Sequence, residues 1–121
     1  MSGLVSAHDQ QRVIEITADK DSRYKVAGQT KPVVTLKAGE KVTLRIIAHR
    51  AKTWNRDGSI HGFAMLRKDG SEVPGWNQFL KEGVNEFQLT APKETGDYIV
   101  VCTVVCSQGH EGMNMKIVVT P

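Results

Sequence analysis

A chain of 121 residues, 40% of them hydrophobic and 24% charged, is long enough to bury its own core and too evenly mixed to be disordered or fibrous. Its net charge of +3 is spread without a block of one sign, and with aromatic residues at 6% and no recognised motif it offers neither a phosphate track nor a stacking platform, which argues against a nucleic-acid partner. No apolar run reaches the length of a membrane span, and residues 1–11 lack the basic start and hydrophobic stretch of a secretory signal.

In chain order, residues 1–11 read as a loosely ordered start to a single domain spanning 1–121. Short extended segments follow: Arg12 to Ala18, Tyr24 to Val26, Val33 to Lys37, Lys41 to Ala48, Phe63 to Leu66, Asn85 to Leu89, Asp97 to Thr103 and Asn114 to Val119. None holds a helical stripe, so the expected class is all-β. Gly39 in Lys37-Ala-Gly-Glu-Lys41 and Gly96 in Glu94-Thr-Gly-Asp97 supply turns. Val42, Leu44 and Ile46 alternate with polar residues, as do Phe87 and Leu89, which predicts two sheets packed face to face. Tyr98 to Val101, nearly continuous in Ile and Val, reads as a central strand covered on both sides. Arg50 to Ile60 reads as a long loop. Within His49 to Gly62, Arg50, Lys52 and Arg56 face Asp57 alone, a solvated face first and a means of steering an acidic partner second.

The chemistry is concentrated in Cys102-Thr-Val-Val-Cys106-Ser-Gln-Gly-His110-Glu-Gly-Met113. It holds the only two cysteines, an imidazole and a thioether, a soft donor set that selects copper(I), zinc or iron–sulfur over magnesium or calcium. Residues four apart on a strand are separated by roughly 13 Å, from a rise of about 3.3 Å each, so Cys102 and Cys106 converge only if the chain bends. Ser107, Gly109 and Gly112 permit that bend, and one excursion between two strands then carries four side-chain ligands. His61, just after the long loop, is the best further donor, while His49 and His8 read as solvated.

Several sites fit these donors. A Cys102–Cys106 disulfide leaves the spacing of His110 and Met113 unexplained. Zinc is satisfied by two Cys and two His but gains little from Met113, and a mononuclear blue copper site uses one Cys and leaves the other surplus. A copper store or chaperone calls for an exposed, exchangeable site. No Ser-His-Asp order, phosphate-binding glycine loop or carboxylate pair supports catalysis by the chain alone.

The Cys-x3-Cys-x3-His-x2-Met run, preceded by Gly96-Asp-Tyr98 and by Ile60-His-Gly-Phe63, resembles the CuA domain of cytochrome c oxidase subunit II, an outline shared with the C-terminal domain of nitrous oxide reductase. The resemblance covers most of the chain from about Val33 onward, and only the ligand run is highly specific. It implies a cupredoxin-like Greek-key β-sandwich of about seven to eight strands. It further implies a binuclear copper centre in which Cys102 and Cys106 bridge two copper ions, His61 and His110 ligate one each, and Met113 and the backbone carbonyl of Val104 are weak ligands. By the same likeness His110 lies nearer solvent than His61. The implied role is electron transfer outside the cytoplasm, as the electron-entry domain of a terminal heme-copper oxidase or as a free-standing relative, with a c-type cytochrome as donor, in the first case an oxidase catalytic subunit as acceptor, and membrane attachment only through an anchor or partner subunit. Oxidase activity would belong to the assembly. Phe63, Met65 and Val100 would form the dry shell that tunes the potential.

The chain also departs from the family. Val104 stands where oxidase subunits commonly carry Glu; a carbonyl ligand needs no particular side chain, but docking to a typical catalytic subunit loses a contact. Trp54 and Trp76 do not form the aromatic cluster through which the family often receives electrons.

Overall fold

The computed structural model describes residues 12–21, 23–50, 59–102 and 114–121. Among them all regular structure is strand: β1 (Arg12–Ala18), β2 (Tyr24–Lys25), β3 (Val33–Lys37), β4 (Lys41–Ala48), β5 (Ser59–Leu66), β6 (Glu72–Lys81), β7 (Gly83–Thr90), β8 (Gly96–Val101) and β9 (Asn114–Thr120). No helix among the described residues is long and apolar enough to cross a membrane. The strands form a four-stranded sheet ordered β2-β1-β4-β7 and a five-stranded sheet ordered β3-β9-β8-β5-β6. β1 runs parallel to β4 and β3 parallel to β9, while the remaining pairs are antiparallel. Parallel neighbours cannot be joined by tight hairpins, so the chain crosses between sheets and wraps one core.

That core follows from alternation. Ile14, Ile16 and Ala18 on β1 and Val42, Leu44, Ile46 and Ala48 on β4 are buried from one sheet. Val34, Leu36, Tyr98, Val100, Met115, Ile117 and Val119 are buried from the other, and all join one apolar cluster. Opposite faces carry charge, as where Glu15, Arg45 and Glu86 lie abreast on β1, β4 and β7 and Arg45 pairs with both acids. The Tyr98 hydroxyl donates to the Glu94 carbonyl at 2.7 Å, tying β8 to the turn before it, and burial pushes its pKa up.

Three expectations are corrected. Among the described residues β6 makes a ninth strand, where about seven to eight strands, and none between Leu66 and Asn85, were expected. Its alternation is broken by Pro74 and Gly75: Val73 and Trp76 are buried although three residues apart, Gly75 has φ +84°, and the register with β5 shifts between Ala64 and Leu66. Second, β8 is central but not covered on both sides, because Ile99 is 43% exposed. The doubly covered strand is its neighbour β5, buried continuously from Ile60 to Met65. Its outward positions Gly62 and Ala64 are small and lie beside the larger Phe79 and Val101. Third, β5 begins at Ser59, before the expected start at Phe63 and inside the stretch read as loop, so His61 lies within the strand and not at its start.

Candidate metal centre

Strand parity brings His61 and Cys102 together. Tyr98 and Val100 point into the core from β8, and Cys102 is the next inward position as the strand ends. Met65 and Phe63 point inward from β5, and His61 is the next inward position towards that strand's start. The two strands are antiparallel, with Ala64 opposite Val101, so the start of one meets the end of the other. Both residues therefore reach the same end of the sandwich. The Gly62 N–H donates to Cys102 Sγ at 3.3 Å and points the positive end of an amide dipole at the sulfur.

His61 is fully buried. Its Nε2 lies 2.7 Å from the His49 carbonyl oxygen, an acceptor only, so the ring proton resides on Nε2 and donates there. Nδ1 is left with a bare lone pair, buried and without a hydrogen-bond partner among the described residues. Burial pushes the His61 pKa down; the carbonyls of His49 and Asp19 and the Asp19 charge oppose this without reversing it. A neutral imidazole with one nitrogen tied to a carbonyl and the other free is the state that ligates a metal. An orphaned buried acceptor ordinarily costs about 1–3 kcal/mol, and a cation at Nδ1 would remove that cost. With sulfur close by, this donor pair fits a soft or borderline ion such as copper.

Val104, Cys106, His110 and Met113 lie outside the described residues, as do His8 and Trp54. The ends of their segment are described. Val101, the last residue of β8, is paired with Asn114, the first of β9, so the stretch from Cys102 to Met113 leaves and rejoins the sheet at one pair of adjacent residues. Among the described residues no group of three or more His, Cys, Asp or Glu gathers to hold an ion; His61 and Cys102 are the described members of the expected set.

Of the other expected positions, Phe63, Met65 and Val100 are fully buried in the core. Trp76 is a packing residue, 1% exposed, with Nε1–H donating to the Thr90 carbonyl at 2.9 Å. The His49 side chain is exposed, as expected of a solvated residue. Its carbonyl nonetheless sets the tautomer of His61, and its N–H is anchored on the Ala18 carbonyl at 2.8 Å. Sequence reasoning missed that role, since a backbone acceptor has no side-chain signature.

No family model and no curated protein matches the sequence. The fold does have solved counterparts. Auracyanin A, a "blue" copper protein from Chloroflexus aurantiacus, superposes with a TM-score of 0.61 at 24% identity, over 89% of this chain and 98% of that one. A chain of a heme-copper terminal oxidase dimer gives 0.59 at 18% identity, covering 93% of this chain and 67% of that one. Rusticyanin from Thiobacillus ferrooxidans gives 0.56 at 19% identity, covering 90% and 78%. The architecture is thus a cupredoxin-like β-sandwich, the fold of these copper proteins and of part of an oxidase.

Proposed function

We propose that this chain is an electron carrier with a binuclear, CuA-type copper centre held by His61, Cys102, Cys106, His110, Met113 and the carbonyl of Val104. The observation that carries the copper reading is the buried Nδ1 of His61, without a hydrogen-bond partner among the described residues, fixed in its tautomer from behind and next in sequence to Gly62, whose N–H holds Cys102 Sγ, in a fold shared with copper proteins. The second cysteine carries the binuclear reading, because one copper has no use for it. When bound, such a centre accepts and releases a single electron.

The residues of the chain supply the rest. Strands β5 and β8 hold His61 and Cys102 in place before any metal arrives, so little has to move when the charge changes. Phe63, Met65 and Val100 keep the inner side dry, and the Gly62 N–H moderates the charge on sulfur. The partners proposed are a c-type cytochrome as donor and an oxidase catalytic subunit as acceptor, on the extracytoplasmic side of a membrane. The likeness to an oxidase chain supports the second. No catalysis is assigned to the chain by itself.

A mononuclear site is the competing reading, favoured by the likeness to a "blue" copper protein. Native mass spectrometry of copper-loaded protein separates the two: the binuclear proposal expects two coppers per chain, and loss of the two-copper species in both Cys102→Ser and Cys106→Ser. One copper in the parent protein, kept by Cys106→Ser, would overturn it in favour of the mononuclear site.

A further inference from the structure

We propose that the hydroxyl of Tyr24 is a positioning element for the sulfur of Cys102, acting through the backbone of Gly62. The last described pair of the β5–β8 ladder is Ala64 opposite Val101. Gly62 lies beyond it, and side chains take its backbone groups: its N–H donates to Cys102 Sγ at 3.3 Å, and its carbonyl accepts from the Tyr24 hydroxyl, which reaches across from the other sheet. Tyr24 is 2% exposed, and its ring meets Phe63 edge-on, with centroids 5.7 Å apart and planes at 76°. The hydroxyl is therefore aimed by packing on the residue that follows Gly62.

The same short strand also reaches the imidazole. Tyr24 is paired with Ala18 across β1 and β2; the Ala18 carbonyl holds the His49 N–H, and the His49 carbonyl holds His61 Nε2–H. From one strand pair, one line of hydrogen bonds runs to His61 and another, through Tyr24 and Gly62, runs to Cys102. A two-residue strand adds little to a sheet by itself. As a strap that fixes an imidazole and a sulfur relative to each other, it has a defined purpose.

This inference rests on the reading of Cys102 as a metal ligand, and the experiment keeps the two separable. Tyr24→Phe retains the ring against Phe63 and removes the hydroxyl that donates to the Gly62 carbonyl. In metal-free protein carrying Cys106→Ser, alkylation of Cys102, which is 8% exposed and limited by access, is expected to run several-fold faster with Tyr24→Phe than without it. Global stability is measured in parallel so that whole-molecule opening is accounted for. In copper-loaded protein with both cysteines, the sulfur-to-copper absorption bands and the reduction potential are expected to shift. Fluorotyrosine incorporated at position 24, which keeps the shape and strengthens the donor, is the second variant and is expected to slow alkylation. Lower stability with unchanged alkylation and unchanged sulfur bands would show that Tyr24 only packs, as would a fluorotyrosine protein identical to the parent. If no variant binds copper, the metal-centre reading fails, and the metal-free alkylation rates still decide the role of Tyr24.

Discussion

A histidine shut away from water with one ring nitrogen bonded and the other bare is costly to keep unless something binds there. Among the described residues His61 is such a residue; the sequence put it just after the long loop, but the parity that runs from Phe63 and Met65 to His61, and from Tyr98 and Val100 to Cys102, was hidden because Tyr98 to Val101 read as covered on both sides. The hydrogen bonds that orient the pair were not legible, because the carbonyl of His49 and the N–H of Gly62 belong to the backbone and any residue type supplies them. In the proposed centre Met113 would differ from the cysteines in its chemistry, since a thioether is a weak ligand that adds no charge. Met113→Leu is therefore expected to leave the copper count at that of the parent and to change the reduction potential, read by redox titration of the visible bands. Loss of copper from this variant would make Met113 a principal ligand, contrary to the assignment.

Among the elements, alternation made β4 readable, since Val42, Leu44 and Ile46 recur at every second position and are buried. It failed at β6, where Pro74 and Gly75 insert extra residues and move Trp76 out of step with Val73. Gly75 takes φ +84°, and a Cβ there would meet nothing closer than Leu89 Cδ2 at 4.0 Å, so the cost of a side chain is conformational and not steric. Gly75→Ala is expected to lower unfolding stability by about 1 kcal/mol, as a reduced denaturant midpoint at unchanged slope. An unchanged midpoint would mean that the bulge does not require glycine.

Glu40, in the turn before β4, works between elements. Its carboxylate accepts Arg12 Nε and Nη2 at 3.1 Å each and the Lys37 N–H at 3.0 Å, and Arg12 also donates to the Thr35 carbonyl in the other sheet at 2.7 Å. Burial would raise its pKa, but the Lys37 N–H and the Arg12 guanidinium together hold it below the ordinary value of 4.5. A carboxylate with a depressed folded pKa stabilises the fold above its unfolded pKa, and this contribution is lost as the pH falls through the folded one. Glu40→Gln is expected to cost about 0.5–1 kcal/mol at neutral pH, a modest figure because Arg12 is half exposed. The gap from the parent should close as the pH drops below 4.5, measured by urea unfolding at each pH. A gap that persists in acid would assign the loss to packing.

The molecule as a whole is a sandwich whose two sheets are tied at both ends. Arg12, Thr35 and Glu40 clasp one end, and Tyr24 with Gly62 clasps the other, where His61 and Cys102 sit. The all-β class and its face-to-face packing could be read from the sequence because burial forces period-2 alternation. The strand order could not, because the parallel pairing of β1 with β4 and of β3 with β9 joins segments far apart in the chain that leave no local pattern. In the proposed function this frame would hold two sulfurs and two imidazoles around a pair of metal ions that behave as one redox unit. Electron paramagnetic resonance of the copper-loaded protein tests it most directly. A purple sample is expected, with a hyperfine pattern from one electron shared equally by two copper nuclei; a pattern from a single nucleus would contradict the binuclear centre.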